Sequence, residues 1–151
     1  MDEKAIRRIP IGDGLLTSSL CCLESVRLIG SKCTACGEVA LGTVNSCANC
    51  GGTGFESISL SNSGTLWTYT VIRNRPPGDY RGPDPFVPFA EGLVELPEGI
   101  RVLSPLGGDI EKLAIGMEMK FEAYGFYKNE DGAEVIAFRF VPTSKAKKQE
   151  V

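Results

Sequence analysis

Four of the six cysteines stand in two C-x-x-C pairs, Cys33-Thr-Ala-Cys36 and Cys47-Ala-Asn-Cys50, with ten residues between the pairs. Two such knuckles supply four sulfur ligands, the set that a tetrahedral structural zinc takes, and four thiolates leave no open position for water or substrate. Gly37 follows the first knuckle and Gly51-Gly52 the second, where the backbone must turn tightly so that amides face sulfur. One structural zinc is therefore the favoured reading of Cys33, Cys36, Cys47 and Cys50. A redox pair normally comes as a single C-x-x-C, and disulfides disagree with a cytoplasmic setting. A rubredoxin-type iron centre stays open, because tetrahedral sulfur suits both metals. Cys21 and Cys22 lack this spacing and read as small apolar residues in a core.

No histidine occurs in the chain. Ser-His-Asp and Cys-His catalysis, histidine metal ligands and the usual neutral-pH proton carrier are excluded together. The net charge of −3 is unevenly spread. Residues 83–142 carry eleven acids against five bases, while Arg73, Arg75 and Arg81 face only Asp79 within residues 61–82. A nucleic-acid binder normally presents a basic face, and here only that loop and a lysine-bearing tail are basic. No stretch approaches the roughly 20 apolar residues of a membrane span. The charged start, Met1-Asp-Glu-Lys-Ala, does not resemble a signal peptide, so a cytoplasmic location is expected.

The elements that would position these residues follow from pattern. Residues 1–29 read as an irregular arm with a short helix, on the spacing of Leu15, Leu16, Leu20 and Leu23. Val26–Ile29 reads as a strand entering the first knuckle. Residues 30–55 are rich in Gly, Cys, Ser, Thr and Asn and cannot build a conventional core, which leaves the metal to hold them. Residues 60–142 read as an all-β domain. Thr65–Ile72 is dense in β-branched and aromatic residues, and a proline-rich loop runs from Asn74 to Pro88. Phe89–Leu96 and Ile100–Leu103 flank the turn Pro97-Glu98-Gly99, and Asp109 is placed to cap a short helix from Ile110 to Ala114 that Gly116 ends. Met117–Phe126 and Glu134–Val141 pair across Asn129–Gly132. Five strands with one short helix between the third and fourth is the OB-fold pattern. Residues 143–151 read as a basic disordered tail. The fold expected is mainly β: a rubredoxin-like zinc ribbon followed by a five-stranded OB barrel.

This order of ribbon and barrel resembles a family of zinc-ribbon OB-fold accessory proteins associated with thiolases and other acyl-CoA enzymes. The resemblance covers roughly residues 26–141. It rests on both C-x-x-C-G knuckles, on Gly64-Thr-Leu-Trp-Thr-Tyr-Thr-Val71, on Pro85-Phe-Val-Pro-Phe-Ala-Glu-Gly-Leu-Val-Glu-Leu-Pro-Glu-Gly-Ile-Arg101, and on Ile115-Gly-Met-Glu-Met-Lys-Phe121. The chain departs from the family in carrying Val44-Asn45-Ser46 where a proline-proline-arginine run is common, and in lacking an N-terminal aromatic helix.

The resemblance implies a non-catalytic small subunit that supports a larger thiolase-like chain in a hetero-oligomer. It is similar in flavour to the small subunit of benzoylsuccinyl-CoA-type thiolases of anaerobic aromatic degradation. The absence of histidine fits, since thiolase chemistry would then belong to the partner. Coenzyme A carries phosphates that arginine binds bidentately, and Trp67 and Tyr80 offer flat faces to an adenine. Arg73, Arg75, Arg81, Trp67 and Tyr80 are thus the candidate coenzyme A contacts, and the same loop serves equally as a partner contact. Alternatives are an accessory subunit of an acyl-CoA hydratase or retro-aldolase, and a zinc-ribbon OB module for nucleic acid, which the acidic barrel disfavours. An independent enzyme ranks last, because nothing supplies a positioned base.

Overall fold

The computed structural model describes residues 7–17, 20–78, 81–83 and 85–143. The tail expected from 143 onward, Thr143 apart, falls outside these residues, as does Tyr80. Among them there are nine strands and two 3-10 turns. Among the described residues no helix is long and apolar enough to cross a membrane.

The chain folds as two compact units, Met1–Ser61 with Ala123–Ala137, and Asn62–Glu122 with Phe138–Val151. In the first, β1 (Arg8–Pro10) pairs in parallel with Glu134–Ile136. Its ribbon sheet has β2 (Ile29–Cys33) at the centre, with β3 (Val39–Leu41) and β4 (Phe55–Ser59) antiparallel on either side. Leu60 packs over Gly30, where an added Cβ would come within 2.7 Å of Leu60 Cδ2. Buried Ser31 donates its hydroxyl to the Gly42 carbonyl at 2.7 Å.

The short helix expected between Leu15 and Leu23 is not formed in the described part of that segment. Leu16 instead makes an antiparallel bridge with Leu28. The Thr17 amide donates to the Arg27 carbonyl and the Ile29 amide to the Leu15 carbonyl, both at 2.8 Å. Backbone groups that a helix would pair internally are taken by the 27–29 segment, which leaves only a 3-10 turn at Leu23–Ser25. The strand expected at 26–29 accordingly starts later, at Ile29.

Five strands form a closed barrel: β5 (Ser63–Ile72), β6 (Phe89–Glu95), β7 (Arg101–Leu106), β8 (Glu118–Lys128) and β9 (Glu134–Pro142). The order is β5-β6-β7-β9-β8, with β8 returning to β5. The contact between β7 and β9 is parallel and the other registered pairs are antiparallel, which is the OB-fold arrangement. Strand alternation sorts the side chains. Ala90 and Val94 of β6 and Val102, Ser104 and Leu106 of β7 are buried, whereas Arg101 and Leu103 face outward. Leu66, Leu96, Met119, Phe121 and Phe140 fill out the core of this unit. Gly92 is required by close approach, since a Cβ there would lie 2.5 Å from the Thr68 carbonyl oxygen.

The short helix expected after Asp109 is a single 3-10 turn, Ile110–Lys112, although the cap is as read: the Asp109 side chain accepts from the Glu111 amide at 3.0 Å. Asn129 organises the β8–β9 turn by accepting the Asp131 and Ala133 amides, each at 3.0 Å.

Candidate metal centre

The two knuckles repeat one backbone motif. In the first, the Gly37 amide donates to the Cys33 carbonyl at 2.9 Å and the Cys33 amide to the Glu38 carbonyl at 2.8 Å. In the second, the Gly51 amide donates to the Cys47 carbonyl and the Cys47 amide to the Gly52 carbonyl, both at 2.8 Å. Gly37 and Gly51 sit at φ of 85° and 79°, the left-handed region that glycine enters without strain. The first knuckle leaves the end of β2, and the second lies in the connection before β4. The register places Cys33, the last residue of β2, opposite Phe55, the first residue of β4.

The four sulfur atoms all lie within 4.8 Å of one another. Cys33 Sγ is 3.6 Å from Cys50 Sγ, and Cys36 Sγ is 3.6 Å from Cys47 Sγ. A tetrahedron with metal–sulfur bonds of about 2.3 Å has edges of about 3.8 Å, so the cluster has the size of one four-thiolate site. Cys33 and Cys47 are buried, and Cys36 and Cys50 are exposed at its rim.

Donors surround the sulfurs. The Asn49 and Cys50 amides point at Cys47 Sγ at 3.4 and 3.5 Å, and Asn49 Nδ2 reaches Cys36 Sγ at 3.4 Å. The Asn49 side chain, followed by the Glu38 amide, lowers the Cys36 pKa to about 6. Amides of Cys36 and Ala35 lower that of Cys33. At Cys50 the Gly52 amide pulls the pKa down, but Cys33 and Cys36 outweigh it and push the thiol up to about 12. Without a cation the cluster ionises readily at some sulfurs and resists at the last one. A divalent ion removes that conflict, and the donor set suits a soft or borderline metal.

Sequence reading missed Asn49, although its place inside the second knuckle was the available signal. Of the other predicted site residues, Tyr80 lies outside the described residues. Arg73, Arg75 and Arg81 are exposed along the proline-rich loop. Trp67, on β5, is 43% exposed while its neighbour Leu66 is buried, as strand alternation requires, and the register with β6 shifts between Leu66 and Thr68. One face of its ring carries the guanidinium of Arg101, 4.0 Å from the centroid, and Arg101 in turn pairs with Glu95 at 3.5 Å. Nothing in sequence spacing links Trp67 to Arg101; strand registry does.

Of the strand aromatics that a nucleic-acid face would need, Trp67, Tyr69, Phe121, Tyr124, Phe126 and Phe138, Phe121 is buried, with ring contacts at 5.8 Å to both Phe138 and Phe140, whereas Trp67 and Phe126 are exposed. An open groove in the barrel unit is lined by Ser63, Thr65, Leu96, Pro97, Glu95 and Glu118, with Glu95 also paired to Arg101.

With fold and cluster in place, relatives give the kinship. A DUF35 domain-containing scaffold protein of Pyrococcus furiosus is 32% identical over 126 residues, spanning 82% of this chain and 88% of the relative. The chain belongs to the DUF35 family. Residues 58–123 match the family described as ChsH2, C-terminal OB-fold domain. The benzoylsuccinyl-CoA thiolase subunit BbsA of Thauera aromatica is 25% identical, over 75% of this chain and 74% of its own length. Among solved structures, the Ltp2-ChsH2(DUF35) aldolase superposes with a TM-score of 0.58 at 25% identity, covering 77% of this chain and 84% of that one. This DUF35 chain is thus similar in sequence to proteins named as scaffolds and as a thiolase subunit, and in fold to the DUF35-bearing aldolase.

Proposed function

We propose that this DUF35 chain is a non-catalytic accessory subunit that assembles with a larger thiolase-type acyl-CoA enzyme, its ribbon closed by one structural zinc. The observation that carries the reading is the kinship, over three quarters of the chain, with a thiolase subunit, joined to a sulfur cluster with four ligands of its own. A site saturated by four thiolates offers stability and no Lewis-acid position. The chain contains no histidine, so acid–base and nucleophile roles fall to the partner. Zinc rather than iron fits the closed, redox-silent role of such a ribbon.

Coenzyme A contact is assigned to the loop arginines Arg73, Arg75 and Arg81, with Trp67 and Tyr80 as flanking aromatic surfaces. The match to an aldolase complex favours a second reading in which the catalytic partner is a retro-aldolase rather than a thiolase. Nucleic-acid binding is disfavoured by the net negative charge of the barrel sequence.

Native purification of the tagged full-length chain from its host, followed by mass spectrometry, tests the assignment. Co-purification of a thiolase-type or aldolase-type chain, about one zinc per DUF35 chain, and turnover only by the pair are expected. Turnover by the isolated chain overturns the subunit role, and iron as the bound metal overturns the zinc assignment. Arg73, Arg75 and Arg81 replaced together by glutamine should raise the KM for acyl-CoA in the complex. An unchanged KM with weakened assembly would assign the loop to the partner instead.

A further inference from the structure

Two cysteines take no part in the sulfur cluster. Cys21 and Cys22 were expected to be small buried residues, and the structure corrects this: both are exposed thiols. Packing therefore does not explain them, and for an exposed cysteine the chemistry of sulfur is the property that matters.

Their backbone is held from two sides. Arg8 donates from one guanidinium nitrogen to the carbonyls of Leu20 and Cys21 at 2.8 and 3.2 Å, while its Nε pairs with Glu134 at 3.0 Å. The Cys22 carbonyl accepts the Ser25 amide at 3.1 Å and the Ser25 hydroxyl at 3.0 Å. The consecutive carbonyls of residues 20–22 are thereby engaged, and both cysteines are exposed.

We propose that Cys21-Cys22 is a vicinal dithiol site for reversible thiol–disulfide exchange with low-molecular-weight disulfides of the glutathione class. One thiolate attacks the small disulfide. A bond forms between the protein sulfur and one half, the original sulfur–sulfur bond breaks, and the other half leaves as a thiolate that takes up a proton. The adjacent thiolate then attacks the protein-side sulfur of the mixed disulfide, closes a Cys21–Cys22 bond and expels the second half. Two protein thiols are oxidised and one small disulfide is reduced to two thiols.

Adjacency makes the second step intramolecular. It also makes the product labile: neighbouring Cα atoms are about 3.8 Å apart across a trans peptide, below the spacing of about 4.4–6.8 Å in relaxed disulfides, and strained bridges are easily reduced. Closure must turn the 21–22 peptide, whose carbonyl Arg8 holds.

The test treats the metal-loaded full chain with oxidised glutathione and reads intact mass, metal content and a tryptic map. The wild type should lose two hydrogens, retain its metal and show a Cys21–Cys22 bridge. Cys21→Ser and Cys22→Ser should each stop at one stable glutathione adduct. On the untreated wild type, phenylarsine oxide, which needs two neighbouring thiols, should bind once and block the exchange. Stable adducts on the wild type without closure, a bridge from either cysteine to the ribbon, or arsenical bound only after metal loss would each overturn the proposal.

Discussion

From Leu28 to Leu60 the ribbon buries few large side chains, Leu28 and Leu60 foremost, together with Ser31, Cys33 and Cys47. The barrel unit buries Leu66, Val94, Leu96, Val102, Leu106, Met119, Phe121 and Phe140. One region has a sulfur cluster where the other has a hydrocarbon core. A short glycine-rich segment cannot bury enough apolar area to offset the entropy of ordering it, whereas structural zinc contributes apparent binding energies of about 10–16 kcal/mol in small domains. The ribbon should therefore answer to metal, thiolate chemistry and pH, and the barrel to volume and shape.

The largest expected effect separates the two regions most sharply. Cys33→Ser removes a buried ligand, and metal analysis should show stoichiometric binding lost. Amide exchange should then show β2, β3 and β4 unprotected while β5, β6 and β7 keep their protection; equal loss in both regions would break the contrast. Next, Leu66→Ala, at a fully buried site, should cost about 2–5 kcal/mol, seen as a lower Tm with metal content unchanged.

Gly37→Ala meets open space but a φ of 85°. The left-handed penalty of about 1–2 kcal/mol should weaken metal affinity by about tenfold in a chelator competition. The pH dependence sharpens the same point. Cys36, lowered from 9.0 to about 6, adds stability to the metal-free ribbon that is fully present above pH 9.0 and lost as pH falls through about 6. Cys50, raised to about 12, works in the opposite sense, stabilising below 9.0 and losing that contribution as pH rises through about 12. Metal uptake near neutral pH should thus release the Cys50 proton, measurable by calorimetry in buffers of different ionisation enthalpy. Smallest is Arg101→Ala, which removes the cation from the Trp67 ring; about 0.5–1 kcal/mol and a shift in tryptophan emission are expected.

Much of the barrel was legible because its strands carry β-branched and aromatic runs punctuated by good turns, as at Pro97-Glu98-Gly99 and Asn129–Gly132. The metal cluster was legible because a C-x-x-C-G knuckle is a local structure whose hydrogen bonds reach no more than five positions along the chain. The Leu15–Leu23 helix was misread because apolar spacing does not say where backbone hydrogen bonds go, and residues 27–29 took those of 15–17.

The sequence by itself determined the four ligands, the left-handed glycines behind them, the number of barrel strands and the absence of histidine chemistry, since each depends on residue type or on neighbours a few positions away. Tertiary structure alone decided that Trp67 turns outward beneath Arg101, that Phe121 and Phe140 belong to the core, and that Cys21 and Cys22 face solvent beside Arg8. Those outcomes depend on strand register and a parallel pairing between β1 and β9, contacts made between residues far apart in the chain.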